Sequence, residues 1–125
     1  MTGPDDGSAV LVMETHGSPS RAEVEAWLRD RLVGWLDHDV LLVGVLVGEL
    51  LDNAWRCGEP PYVLELVMDP WTETLTIRVR DHARRHTARW SLGAGLLIVD
   101  GLTAQWGVVS ASESTTVWAK VRFED

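Results

Sequence analysis

Residues 40–54 read VLLVGVLVGELLDNA, a mostly apolar stretch that ends in polar residues. Apolar side chains that recur at this spacing predict a helix. The predicted helix begins at Asp37 or Asp39, because either residue can cap an N-terminus. It ends near Arg56, because Gly58 and the two prolines that follow cannot continue a helix.

Two polar residues near the end of this helix share one side of it. Glu49 and Asn53 lie four residues apart, and their side continues the apolar stripe of Leu42, Val45 and Leu46. This spacing predicts that both polar side chains point into the core, where a carboxylate or an amide is costly unless something polar meets it. A ligand would satisfy that requirement, and so would an ordinary bond to nearby backbone or to an arginine.

The segments on either side of this helix predict an α+β fold. Upstream, a short strand precedes a first helix that opens with a capping box, Ser20 and Glu23. Downstream, apolar residues occur at every second position, which is typical of strands with one covered face. Helices on one face of a mostly antiparallel, mixed sheet give a two-layer α/β sandwich. The predicted elements are a strand over 9–14, helices over 20–36 and 37–56, a hairpin over 63–68 and 75–80, a loop over 82–92, a helix over 93–102 and a hairpin over 105–111 and 115–123.

Length and composition are those of a single-domain protein. The 125 residues, 46% hydrophobic and 24% charged, suit one packed core. Residues 1–8 are polar and predict a flexible N-terminus, so the domain is expected to span 9–125. The net charge of -8 argues against direct nucleic-acid binding, and no apolar segment is long enough for a membrane span. A single cysteine, Cys57, cannot form an internal disulfide, which fits a cytoplasmic location.

Three further polar features lie downstream. Asp81 follows Ile77 and Val79 at every second position, so its side chain is expected on the same, core-facing side of the strand, at the strand's end. Residues 91–96, SLGAGL, place glycines at a helix start, where free N–H groups and the helix dipole attract phosphate. Residues 78–89 hold five arginines, two histidines and one acid, which suggests an anionic ligand or an acidic partner. Each feature also has an ordinary explanation. Asp81 can simply be an acid that ends a strand, the glycines of 91–96 can form a tight turn, and residues 78–89 can belong to a solvated loop.

Taken in chain order, these motifs resemble those of the Bergerat ATP-binding superfamily. The matching segments are ELLDNA at 49–54, VRD at 79–81, GAGLLIV at 93–99 and STTV at 114–117. Within that superfamily the sequence is most similar to the compact bacterial anti-sigma-factor serine kinases, GHKL-type regulators of transcription that act by partner switching. The resemblance covers nearly the whole chain.

The resemblance implies a role for each motif. Asn53 would bind Mg²⁺, which otherwise keeps its waters and bridges the phosphates of ATP. Glu49 would be the catalytic base that takes a proton from a partner's serine hydroxyl as that hydroxyl attacks the γ-phosphate. Asp81 would accept a hydrogen bond from the adenine amino group, with support from Thr115. The other cofactor-binding positions are Gly93, Gly95 and Leu96 for phosphate, with Arg84 and Arg85 beside them.

Two functional hypotheses follow. In the first, the protein binds Mg-ATP, sequesters a sigma factor and phosphorylates a serine of an antagonist protein. In the second, it is a protein-binding module of the same fold that has lost nucleotide chemistry. The second arises because Ala83 and Arg85 replace two glycines of the family's adenine motif, and because the loop before Gly93 is short for an ATP lid. Arg84 and Arg85 would then contact an acidic partner instead of phosphate. Relatives often form homodimers through the sheet and the first helix.

Overall fold

A computed structural model describes residues 8–14, 20–69, 71–82 and 94–122 of the chain. These residues form three helices and five strands in an α+β arrangement. Ser8, which the sequence assigns to the flexible N-terminus, is already the first residue of a strand, and residues 1–7 lie outside the described part. In chain order the elements are β1 (Ser8–Met13), α1 (Arg21–Arg31), α2 (Asp37–Cys57), β2 (Tyr62–Asp69), β3 (Thr74–Asp81), α3 (Ala94–Leu102), β4 (Gln105–Ser110) and β5 (Thr115–Arg122).

The predicted capping box at the start of α1 is present. The Ser20 hydroxyl accepts a hydrogen bond from the Glu23 backbone N–H at 3.2 Å, and the Glu23 carboxylate accepts one from the Ser20 N–H at 2.7 Å. The helix is shorter than expected, because its regular bonding ends at Arg31 and Gly34 adopts a φ of 94°. Glycine adopts that backbone conformation without the steric penalty that a side chain brings. The chain therefore turns sharply between α1 and α2.

The five strands form one sheet in the order β1-β2-β3-β5-β4. Each neighbouring pair is antiparallel, so the described sheet is more uniform than the mixed sheet that the sequence predicts. Alternate residues of the central strands are buried, as the period of two requires. Arg78 and Arg80 are exposed on the opposite face. The predicted two-layer sandwich is confirmed.

Helix α2 contacts α1, α3, β3 and β5 and occupies the middle of the helical layer. Its buried side includes Val43, Leu46, Val47 and Leu50, each at most 1% exposed. Val45 is 38% exposed, so the predicted inward stripe through Val45 is wrong. In the described part of the chain, no helix is long and apolar enough to cross a membrane.

Candidate functional site

The core contains a small group of polar residues. Among the residues that the structure describes, the buried polar or charged ones are Asn53, Asp81 and Thr115, with exposed fractions of 7%, 1% and 0%. Burial of a carboxylate or an amide carries a large desolvation penalty, so such groups in a core usually serve a ligand or a structural network. These three residues are all positions that the sequence singles out for nucleotide binding.

Asp81 and Thr115 lie side by side because of the strand register. Asp81 is the last residue of β3, Thr115 is the first residue of β5, and the two are direct partners in the antiparallel pairing. Directly opposite residues in such a pair have side chains about 5 Å apart on the same face of the sheet. Both therefore lie on the helix-facing side, at the edge where β3 ends and β5 begins.

Gly58 brings the end of α2 against Asp81. A Cβ atom built on Gly58 would lie 2.5 Å from the Cβ of Asp81, and closer still to its carboxyl group. The Gly58 backbone has φ -117° and ψ -172°, which any residue adopts, so the close approach and not the backbone angle calls for glycine here. The sequence pattern marks Gly58 only as a helix stop and gives no sign of this contact.

The segment after α2 is bonded to the end of β3. The Tyr62 hydroxyl donates to the Gly58 carbonyl at 3.4 Å, and the His82 backbone N–H donates to the Glu59 carbonyl at 2.9 Å. The His82 ring Nδ1 also lies 3.2 Å from the Pro61 carbonyl oxygen. These bonds hold the α2–β2 connection beside Asp81. Tyr62, which is 0% exposed, and His82 were not identified from the sequence.

The environment of Tyr62 raises the pKa of its hydroxyl above 10.0, first through burial and then through the negative charges of Asp81 and Glu59. A raised pKa in the folded state means that the contribution to stability is complete below pH 10 and is lost as the pH rises through the folded-state pKa. Within that window we expect the free energy of unfolding to fall with rising pH, at no more than about 1.4 kcal/mol per pH unit.

Tyr62 is the only tyrosine of the chain, so its ultraviolet absorbance change on ionisation reports this one hydroxyl. We expect that change at a higher pH in the folded protein than in urea. Tyr62→Phe should remove this part of the alkaline loss of stability in urea titrations. Equal pKa values in the folded and unfolded chain would contradict the buried environment.

Glu49 lies apart from the buried polar group. Its side chain is half-buried and lines a groove of about 350 Å³ between α1 and α2, together with Arg21 and Arg29 of α1. The groove floor includes Gly44 and Val45. Glu49 therefore does not point into the core as predicted, whereas Asn53, one turn further along, is buried. The groove leaves Glu49 accessible to a second molecule.

Arg21 holds the two helices together at one end of this groove. Its guanidinium forms an ion pair with Asp52 of α2, and its Nη1 lies 2.9 Å from where a Cβ of Gly48 would be. The absence of a side chain at Gly48 allows the arginine to cross α2. The group packed against Gly48 is therefore this guanidinium.

The remaining predicted positions lie at or beyond the limits of the described residues. Gly95 and Leu96 belong to the first turn of α3, which contacts α2. Gly93, Arg84 and Arg85 lie outside the described residues, and so does Ala83. Within the described ranges, no group of three or more His, Cys, Asp and Glu side chains is placed to hold a metal ion.

Comparison with known proteins identifies the fold. No protein-family model matches the chain, and no curated protein matches its sequence. A match is found with the crystal structure of the RsbU and RsbW domains of Rv1364c from Mycobacterium tuberculosis, at a TM-score of 0.70 and 19% sequence identity over 92% of this chain. The present chain has that fold. It covers 32% of the other chain, about a third of its length.

The two-layer α/β sandwich expected from the sequence is thereby confirmed as the fold that this chain shares with the solved neighbour. At 19% identity the likeness concerns the fold alone. Function must therefore be argued from the site.

Proposed function

We propose that this protein is an anti-sigma-type regulator that binds Mg-ATP and transfers the γ-phosphoryl group to a serine of an antagonist protein. The observation that carries the proposal is the buried polar group, Asn53, Asp81 and Thr115, among described core residues that are otherwise apolar. The fold supports it, because the RsbW domain of the solved neighbour is of the anti-sigma-factor serine kinase type.

Each buried residue suits one part of the ligand. The Asp81 carboxylate is an acceptor only, which matches the donor character of an adenine amino group. Thr115, its direct strand partner, offers a hydroxyl that can bond to the same part of the base. The Asn53 side-chain oxygen is a hard ligand of the kind that Mg²⁺ accepts beside water and phosphate oxygens. Mg²⁺, when bound, neutralises charge on the phosphates.

The position of Glu49 suits a base that serves a second protein. A partner's serine must reach the γ-phosphate from outside, and Glu49 lines an open groove one helical turn before the buried Asn53. In the proposed step the serine oxygen bonds to the γ-phosphorus, the bond to the β,γ-bridging oxygen breaks, ADP leaves and Glu49 takes the hydroxyl proton. A base buried with Asn53 would be out of reach of that serine.

The test follows thermal unfolding during titration with ATP, with and without Mg²⁺. A ligand at one hundred times its dissociation constant stabilises the native state by about 2.7 kcal/mol, which raises the melting temperature by several degrees in a chain of this size. Asn53→Ala should abolish the Mg²⁺-dependent part of that shift. The matched control is Asp52→Ala, which removes the neighbouring, half-buried acid of the same helix. This variant should retain the Mg²⁺-dependent part of the shift.

A second variant separates binding from transfer. Glu49→Gln should keep the Mg-ATP shift and lose transfer of labelled phosphate to a serine-bearing antagonist protein. No thermal shift of the wild-type protein at millimolar Mg-ATP would overturn the proposal and leave a protein-binding module without nucleotide chemistry. Equal Mg²⁺ dependence in the wild-type protein and Asn53→Ala would remove Asn53 from the site.

A further inference from the structure

The face of the sheet that points away from the helices carries a band of cations. Two of them belong to β3 and two to the neighbouring strand β5. The pairing of these strands places one cation in each of four consecutive rows across the sheet, in the order Arg80, Arg78, Lys120 and Arg122. Side chains on one face of a strand are two residues, or about 6.7 Å, apart, so the cation band is roughly 20 Å long.

Most of the charge in the cation band is not neutralised locally. The Arg78 guanidinium lies 3.2 Å from the carboxylate of Glu65 on the adjacent strand β2. Arg80, Lys120 and Arg122 form no ion pair with any residue that the structure describes. The band holds four of the eleven cationic residues of a chain whose net charge is -8. It is therefore a local reversal of the charge of the protein, of the kind that attracts an anionic partner.

A valine strip lies beside the cation band on the same face, on β1 and β2. Val10 and Val12 of β1 are 53% and 48% exposed, and their partners in β2 are Glu65 and Val63. Val67 of β2 extends the strip. A strand with one solvated face usually alternates apolar and polar residues, whereas β1 is apolar on both faces. Its composition is therefore that of a strand that is covered on both sides.

We propose that this face of the sheet binds an acidic amphipathic helix of a partner protein. The apolar side of that helix lies on the valine strip, and its carboxylates point to the cation band. A helix suits an open sheet face because its backbone hydrogen bonds are internal and need no partner in the sheet. About 13 residues of helix span the roughly 20 Å of the band, and one acid per turn supplies about four carboxylates for its four cations.

This surface is separate from the candidate nucleotide site. Asp81 and Thr115 lie on the helix-facing side of β3 and β5, whereas the cations of the same two strands lie on the other side. The proposal therefore does not depend on nucleotide binding, and it gives the protein a second place to hold a partner.

The charges favour an acidic helix over two other occupants. A second copy of this chain would bring the same four cations to the face, and like charges across an interface are costly. A nucleic acid would match the cation band, but its long phosphate backbone would also meet the acidic remainder of the molecule. The valine strip would gain nothing from a phosphate backbone, whereas the apolar side of a helix covers it.

Binding of designed peptides to the full chain provides the test. The probe is a fluorescent helical peptide of about 18 residues, with a leucine stripe and one glutamate per turn beside it. The comparison peptide carries lysine in place of each glutamate. Fluorescence anisotropy should show that the glutamate peptide binds about tenfold more tightly than the lysine peptide, or better, because like charges oppose the second complex. Added salt should weaken binding of the glutamate peptide.

Charge-reversal variants locate the binding surface. Arg80→Glu with Lys120→Glu should weaken binding of the glutamate peptide by about tenfold or more. The matched control is Arg29→Glu with Arg31→Glu, which changes the net charge equally at exposed positions of α1, in the helical layer, and should keep the affinity. Val12→Ser tests the valine strip and should weaken binding several-fold. Melting temperatures check that each variant is folded.

Four results would overturn the proposal. The first is no binding of the glutamate peptide at millimolar concentration, or equal binding of the two peptides. The second is an equal loss of affinity in the α1 control, which would show an effect of net charge alone. The third is a single-stranded oligonucleotide that displaces the peptide at a lower concentration than unlabelled peptide does. The fourth is a wild-type dimer that Val12→Ser converts to a monomer, which would assign this face to a second copy.

Discussion

Replacing Gly58 with alanine is expected to lower the free energy of unfolding by about 1–3 kcal/mol, the usual range for adding a methyl group to a filled site. The added Cβ would lie 2.5 Å from the Cβ of Asp81, well inside van der Waals contact. Asp81 is 1% exposed and cannot swing into solvent. The helix end or the carboxyl group must therefore move. Urea unfolding of the two proteins measures the difference.

Two further variants identify the cause. Gly44→Ala adds the same methyl group within α2 at a site where, apart from the adjacent helix backbone, no atom of the described residues lies within 4 Å of the new Cβ. It should raise stability by about 0.5–1 kcal/mol, because alanine favours a helix. In the background of Asp81→Gly, which removes the Cβ as well as the carboxyl group, the change at Gly58 should lose most of its effect. An equal loss of stability from Gly58→Ala with and without the Asp81 side chain would show that this side chain is not what the methyl meets.

The strands were predictable because one face of the sheet is covered. In β5 the buried residues from Thr115 to Val121 alternate with partly exposed ones, and this alternation is visible in the sequence. The same reasoning placed Asp81 on the covered face, where it is found. The start of α1 was predictable for a local reason, since both bonds of the capping box join Ser20 and Glu23.

The buried side of α2 was not predictable in the same way. Between residues 40 and 47 the helix is apolar on every side, so the spacing of apolar residues does not select one face. Leu41 is 69% exposed and Val43 is fully buried, although both are apolar. The inward orientation of Glu49 was inferred from that ambiguous stripe and is wrong, because the α1–α2 groove leaves this side partly open.

The contact between Gly58 and Asp81 depends on tertiary structure alone. The two residues are distant in sequence, and each has a sufficient local explanation, as a helix stop and as a strand-end acid. Only the packing of α2 on β3 brings them together. The burial of Asp81 could thus be predicted from its place in the strand, but the close approach of Gly58 to it could not.

Asp81→Asn is expected to change which purine nucleotide the protein prefers. In the proposed site the Asp81 carboxylate accepts a hydrogen bond from the adenine amino group, a bond worth about 1.5–3 kcal/mol when one partner is charged. The asparagine oxygen can still accept that bond, but as a neutral acceptor it contributes only about 0.5–1.5 kcal/mol, so Mg-ATP binding should weaken roughly tenfold. The asparagine side chain has nearly the same shape, so the contact with Gly58 should survive the change.

Inosine triphosphate makes the test selective. Its base carries a carbonyl oxygen in place of the amino group, so a carboxylate at position 81 repels it, whereas an asparagine amide can donate to it. The wild-type protein should prefer Mg-ATP to Mg-ITP, and Asp81→Asn should reduce or reverse that preference, as measured by calorimetric titration. Glu59→Gln is the matched control, because it removes an exposed negative charge that also acts on Tyr62 and leaves the buried carboxylate in place.

The preference ratio is more informative than affinity alone. A variant that is merely less stable, or has lost a negative charge near the phosphates, would change the binding of both nucleotides by the same factor. Only a residue that contacts the base at its amino position changes the ratio between them. An unchanged ratio in Asp81→Asn, with both nucleotides still bound, would therefore remove Asp81 from the adenine site. The buried carboxylate would then be explained by the structural contacts of Gly58 and Tyr62.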